Sequence, residues 1–294
     1  AGMRKWIAAA VAAVAMLGLA GCGDDSASGG TTAPAGPVPN PLRIATEGAY
    51  PPYNMMDSGG QLIGFEVDLA REICKRLTVE CQIVAQNWDG IIPGLQAGRY
   101  DGIMAGMSIT EERQQVVDFT AGYATTPGLF VAMNDNPLQQ IEYGLERVNL
   151  TVLDEGETAT LAALKQALSG KTVGVQVATI HANFLDTYLG DAISIRRYDT
   201  QENLALDLAA GRIDAGLADA VAWTAFLKSP SGQNASAFGP GLDGGVFGQG
   251  IGIAVRKGET QMLEALNRAI AAMKEDGTLR RLAEQWFGFD ASMH

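Results

Sequence analysis

Histidine and cysteine are scarce in this sequence, with two of the first and three of the second in 294 residues. A zinc centre draws three or four nitrogen or sulfur ligands from these types, so the composition nearly excludes one. No metal site and no cofactor are expected. Positive charge is also short. Lys and Arg number 21 against 33 Asp and Glu, a formal net charge of −12, which makes the chain a poor partner for nucleic acid or an anionic membrane surface. The longest apolar run, Trp6 to Leu19, has ~14 residues where a membrane-spanning helix needs ~20. Catalytic signatures are missing too: no Ser–His–Asp order, no nucleophile elbow and no phosphate loop. Apolar residues, by contrast, make up 47% of the chain and charged ones 18%. That is enough to bury a core and excludes disorder along the whole chain. The length allows one large domain or two medium ones.

Arg4 and Lys5 stand before the apolar run, as a basic n-region stands before the h-region of an export signal. The run closes in Leu19-Ala20-Gly21-Cys22. This resembles the lipobox of bacterial lipoproteins, and the resemblance implies cleavage before Cys22 and lipid on its thiol. A Gly-, Ser-, Thr-, Ala- and Pro-rich stretch follows, a composition that stays flexible. Residues 1–21 are therefore expected to be a signal peptide and 22–41 a tether. Beyond residue 21 the chain keeps 19 basic and 33 acidic residues, a net charge of −14. The expected location is the periplasm or the cell surface, with attachment to the membrane through the N-terminal lipid. Such a compartment is oxidising, so Cys74 and Cys81 are expected to form a disulfide that ties the end of a helix to the next strand. Two buried free thiols are the other reading.

Alternation of short strands and helices marks an α/β architecture. Leu42–Thr46 reads as a strand, followed by a turn-rich stretch over 47–54. Phe65, Leu69, Ile73 and Leu77 recur at helical spacing, so Phe65–Leu77 is expected to be a helix. Strands are expected at Gln82–Ala85, Tyr100–Ala105 and Leu129–Met133, with helices at Asp89–Ala97 and Thr110–Val117, the last opened by a Thr-Glu-Glu cap. A second α/β stretch gives strands Lys171–Gln176, Ile193–Tyr198, Arg212–Leu217 and Gly250–Val255. Its helices are Ala182–Tyr188, Glu202–Ala210, Ala220–Leu227, Glu259–Lys274 and Thr278–Trp286. Residues 137–170 fit this alternation poorly and read as an insertion, although Leu161, Leu164 and Leu168 form an amphipathic run.

Several blocks, in order, carry a family resemblance: Ala45-Thr46-Glu47-Gly48-Ala49-Tyr50-Pro51-Pro52-Tyr53, Gly64-Phe65-Glu66-Val67-Asp68-Leu69-Ala70, Trp88-Asp89-Gly90-Ile91-Ile92-Pro93-Gly94-Leu95 and Ser108-Ile109-Thr110-Glu111-Glu112-Arg113. Gly174-Val175-Gln176, Gly211-Arg212-Ile213-Asp214-Ala215 and Asp276-Gly277-Thr278 continue the series. Together they resemble the family 3 periplasmic solute-binding proteins of polar amino-acid ABC transporters, nearest to the lysine/arginine/ornithine/histidine and octopine/nopaline binders. The resemblance implies the type II periplasmic-binding-protein fold, two α/β lobes joined by two crossover strands with the ligand cleft between them. By analogy, lobe 1 spans 42–124 plus 247–294 and lobe 2 spans 125–246. The implied partners are a polar amino acid or derivative and an ABC permease in the inner membrane, with the binding protein a monomer.

The resemblance also assigns ligand-binding positions. Arg113 is the fork for an α-carboxylate; a helix Arg paired with Glu112 or Asp118 is the alternative. Asp219 is the partner for an α-ammonium, though it could equally cap the helix after it. Ser108 offers a hydroxyl and an N–H, and Thr179 and Ile180 offer N–H groups at a helix start. Tyr50 and Trp88 are aromatic walls, and Glu47 is the acid for a cationic side chain. The chain departs from the family at Ala178, Ile180 and His181, where Gly, Thr and Gln are usual. His181 faces the cleft or lies on the surface. Ala105-Gly106-Met107 stands where basic amino-acid binders often have Ser-Ser-Leu. The pocket is therefore expected to be roomier and less polar there, leaning toward a modified ligand such as an opine. Alternative functions are an enzyme resembling cyclohexadienyl (prephenate/arogenate) dehydratases, with Glu47 or His181 as general acid, or a sensory protein presenting its ligand to a receptor.

Overall fold

The computed structural model describes residues 38–294. The expected signal peptide, the lipidation site Cys22 and most of the expected tether lie outside the described residues.

Two sheets organise the chain. The first runs Cys81–Ala85, Leu42–Thr46, Gly102–Ile103, Ala254–Arg256 and Val117–Phe119 in spatial order. Leu42–Thr46 pairs in parallel with both neighbours, and Ala254–Arg256 is antiparallel to its two. The second runs Ser194–Tyr198, Thr172–Gln176, Ala215–Asp219, Gly128–Met133, Ala235–Asp243 and Arg147–Asn149. Here the first three strands are parallel, and Gly128–Met133 is antiparallel to both Ala215–Asp219 and Ala235–Asp243. Each sheet has its own apolar core. Ile44, Phe65, Leu69, Ile73 and Leu266 are buried together on the first, and Phe130, Val173, Phe184 and Leu217 on the second. These are the two lobes of the periplasmic-binding-protein fold. The chain passes from the first sheet to the second between Phe119 and Gly128, and returns between Asp243 and Ala254. The two passing chains meet where Ala124 and Ile251 form an antiparallel bridge.

The helix Phe65–Leu77 has the expected bounds, and Thr78 ends it in the left-handed region at φ 57. Its buried face is Phe65, Glu66, Leu69, Ala70, Ile73 and Cys74. Cys74 and Cys81 are bridged, with Cα atoms 5.5 Å apart, tying this helix to the strand Cys81–Ala85 as expected.

Several elements differ from the sequence reading. The helix opened by Thr110 is only Glu111–Gln114, because Val117 starts a strand that pairs with Ala254–Arg256. The strand expected at Arg212–Leu217 is Ala215–Asp219, so Asp219 is its last residue and Asp214 precedes it. Ala220–Trp223 form a turn, and the helix is Thr224–Lys228. Residues 137–170 are ordered parts of the second lobe. The helix Glu155–Leu168 buries Leu164 and Leu168, and the strand Arg147–Asn149 pairs with Gly241–Asp243. A small third sheet, Ala49–Tyr50, Asn54–Met56 and Leu62–Ile63, occupies the region read as turns and loop.

Candidate functional site

Parallel strands in both lobes end at one cleft. Glu47 follows Leu42–Thr46, Trp88 lies beyond Cys81–Ala85, and Ala105 and Gly106 lie beyond Gly102–Ile103. From the other lobe come Gln176 at the end of Thr172–Gln176 and Asp219 at the end of Ala215–Asp219. Carboxyl ends of strands are where open α/β sheets gather ligands. These residues, with Tyr50, Ser108, Arg113, Thr179 and Ile180, line a single cavity of about 340 Å³.

Of the sequence-predicted set, Met107 alone is not brought to the cavity wall. Its side chain is buried in the apolar cluster around Trp88, Ile91 and Ile103, so it is a core residue of the first lobe. The enlargement expected at Gly106 is also absent. Gly106 sits at φ +61, and a Cβ there would lie 3.1 Å from two ring carbons of Tyr50. Glycine is needed for the backbone and for the close approach of Tyr50, and the space a side chain would take is already filled by that ring. Thr179 and Ile180 line the cavity at the start of the helix Ile180–Phe184, where the Thr179 hydroxyl accepts from the Ala182 N–H at 3.0 Å and caps it. A helix start leaves its first N–H groups without intrahelical partners. His181 is buried and lines the cavity, in edge contact with Phe247 at 5.7 Å.

Arg113 joins the two lobes. Its guanidinium donates to the Ser108 carbonyl at 2.8 Å and to the Ala178 carbonyl at 3.0 Å, and lies 5.4 Å from the centre of the Trp88 ring. Other bonds also cross the cleft, among them Trp88 Nε1–H donating to the Val177 carbonyl at 2.8 Å and Gln176 Nε2 donating to Glu47 at 2.9 Å. This is a closed arrangement. Burial lowers the Arg113 pKa to about 10, leaving the group charged at neutral pH. Burial likewise presses His181 down to about 3, with Arg113 adding to the effect, so the imidazole is neutral.

The acids tell the opposite story. Asp219 is held by the Thr126 hydroxyl, by Tyr53 Oη–H at 3.3 Å, and by the N–H groups of Val221 at 2.8 Å and Ala222 at 3.3 Å. Burial still raises its pKa. Glu47 is pushed up to about 7, mainly by burial, with nearby Glu66 adding to the rise against the Gln176 bond. Glu66 stands behind the wall, bonded to Asn54, the Gly106 N–H and the Tyr123 hydroxyl, and burial raises it as well. Asp243 also lines the cavity but is paired with Arg147 at 2.8 Å. The other two lining carboxyls, Glu47 and Asp219, with Glu66 behind them, face one guanidinium, which leaves the cavity short of positive charge. Buried carboxylates are costly until a cation answers them.

The chain matches the model of the bacterial extracellular solute-binding proteins, family 3, over residues 42–289. It belongs to that family. Among its relatives, the octopine-binding periplasmic protein of Rhizobium meliloti is 36% identical over 271 residues, covering 86% of this chain and 92% of the relative. The histidine-binding periplasmic protein of Escherichia coli K12 is 38% identical over 257 residues, covering 86% and 90%. An ancestral arginine-binding protein solved with arginine superposes with a TM-score of 0.71 at 32% identity, covering 85% of this chain and all of that one.

The sequence reading passed over Gln176, Thr126 and Glu66 as site residues. Gln176 had a signal, since it ends a parallel strand just as Asp219 does. Glu66 had one too, as a lone acid on the apolar face that carries Phe65, Leu69 and Ile73. Thr126 had none: it reaches Asp219 across 93 residues of sequence.

Proposed function

We propose that this solute-binding protein captures a cationic amino acid or a cationic derivative such as an opine, and delivers it to an ABC permease. The observation that carries this reading is the charge balance of the closed cavity. An amino acid with a cationic side chain brings one carboxylate and two cationic groups. Arg113 takes the carboxylate, Asp219 the α-ammonium and Glu47 the side-chain cation. Arg113, Asp219 and Glu47 together then meet a ligand of net charge +1, and each of these three charges has a partner of opposite sign. Tyr50 and Trp88 flank the alkyl stem, and the Thr179–Ile180 helix start supplies N–H donors to the carboxylate. The names of the relatives support the ligand class. In this reading the protein works in the periplasm or at the cell surface, held by lipid on Cys22.

Calorimetric titration of refolded protein tests the assignment. Arginine, lysine, ornithine, histidine, octopine and nopaline form the panel, with glutamine and glutamate as uncharged and acidic counterparts. A cationic member should bind one-to-one and more tightly than either counterpart; preference for glutamate would remove Glu47 from its role. The dehydratase alternative requires Glu47 or His181 to donate a proton to substrate, and the pKa of Glu47 near 7 permits it there. The binding names of the relatives do not favour it, and turnover of prephenate or arogenate would reveal it directly.

A further inference from the structure

The segment Ala291–Met293 lies at the junction of the lobes. It is rooted in the first lobe: the Asp290 carboxylate accepts from the Ser292 N–H at 3.0 Å and from the Ser292 hydroxyl, and pairs with Arg280 at 3.3 Å. From there it runs along the first connecting chain. Met293 N–H donates to the Tyr123 carbonyl at 3.1 Å, and Thr125 N–H donates to the Ala291 carbonyl at 3.0 Å. Ala124 thus bridges Ser292 on one edge and Ile251 on the other. The two connecting chains and this segment form a three-stranded ribbon with Ala124 at its centre. Thr125 and Thr126, next along the same chain, line the ligand cavity.

The Met293 side chain occupies the space left by two glycines of that ribbon. A Cβ on either Gly122 or Gly250 would run into the Met293 thioether, and Gly250 has φ +88. On one side Met293 lines the ligand cavity. On the other it lines a second cavity of about 210 Å³ together with Lys274, Leu279, Arg280 and His294.

We propose that Ala291–Met293 is a third strand of the hinge and that Met293 is a positioning residue for lobe closure. Closure turns the backbone of the connecting chains, and a strand bonded at Tyr123 and Thr125 must move with them or resist. The unbranched thioether fills the irregular gap at Gly122 and Gly250 in the closed arrangement. Its removal takes contacts from the closed form and shifts the ligand-free protein toward open ones. Ligand must then supply the difference, so apparent affinity falls with the population of the binding-competent form. The choice of arginine as probe rests on the proposed function; the effect on closure does not.

The test compares the full chain carrying Met293→Ala or Met293→Leu with the unsubstituted protein. Small-angle scattering is recorded with and without ligand, L-arginine binding is titrated, and melting curves verify folding. Met293→Ala should enlarge the ligand-free radius of gyration and weaken arginine binding about fivefold or more. Met293→Leu, of similar volume, should restore both. Folded Met293→Ala with unchanged scattering and affinity would overturn the proposal. If the unsubstituted protein ignores arginine, the ligand assignment fails alone, and the ligand-free scattering still decides the role of Met293.

Discussion

At the scale of single residues, the cleft is built on charges held away from water. Among the described residues no acid is bonded to Arg113; its donors go to the Ser108 and Ala178 carbonyls and its face to Trp88. In the proposed reading it receives the ligand carboxylate while its bonds join the lobes. Replacing it with Ala removes both functions, and affinity measured by calorimetry should fall by about a hundredfold or more. Lys at this position keeps the charge and loses the fork, and should recover only part of that loss. If Glu47 meets the side-chain cation, binding should be pH-sensitive. Its pKa near 7 means that a cationic side chain must displace a proton below that pH, so affinity should drop about tenfold for each unit below pH 7. Glu47→Gln should bind weakly and flatten the profile. Ligand-free stability runs the other way. The folded pKa lies above the ordinary 4.5, so the folded state holds the proton more tightly than the unfolded chain does. Glu47 then lowers stability as pH rises from 4.5 to 7, and thermal melts across that window read the slope.

At the scale of elements, what could be read from the sequence was whatever local pattern determines. Phe65–Leu77 has apolar residues at helical spacing, and its bounds agree with the structure. The disulfide followed from two cysteines and an oxidising compartment, and reducing it should cost about 2 kcal/mol, seen as a melting temperature lower by several degrees. Elements defined by distant partners were less legible. Val117 looks helical after its capped turn, yet pairs with Ala254–Arg256. Arg147–Asn149 is a three-residue strand that exists because Gly241–Asp243 lies beside it. The Gly106 reading failed for a similar reason, since the Tyr50 ring that fills the space is 56 positions away. Ala178 is a case where sequence and structure agree. Glycine is usual there in the family, and Ala178 does take φ 56. Relief of about 1–2 kcal/mol of left-handed strain, offset by about 0.5–1 kcal/mol of added chain entropy, leaves Ala178→Gly more stable by roughly 0.5–1 kcal/mol. Denaturant unfolding should detect that gain.

For the whole molecule, function is the coupling of ligand to lobe position. Gln176–Glu47, Trp88–Val177 and Arg113–Ala178 are bonds that cross the cleft, and parting the lobes would have to break them. Ligand shifts the balance toward that form by binding it better than the open one. Trp88→Phe removes one of these bonds while keeping a ring, and should leave the free protein more extended in scattering experiments and the ligand-bound form as compact as before. In the proposed reading the acidic cavity selects a cationic amino acid through Arg113, Asp219 and Glu47. The most direct measurement is calorimetric titration of L-arginine at pH 6 and pH 8, each in two buffers of different ionisation enthalpy. One-to-one binding that is tighter at pH 8, with a proton released on binding at pH 6 and nearly none at pH 8, is the predicted result. Binding of equal strength at both pH values with no proton release would contradict the role of Glu47, and the absence of heat from arginine, lysine, ornithine, histidine and the opines alike would contradict the ligand class itself.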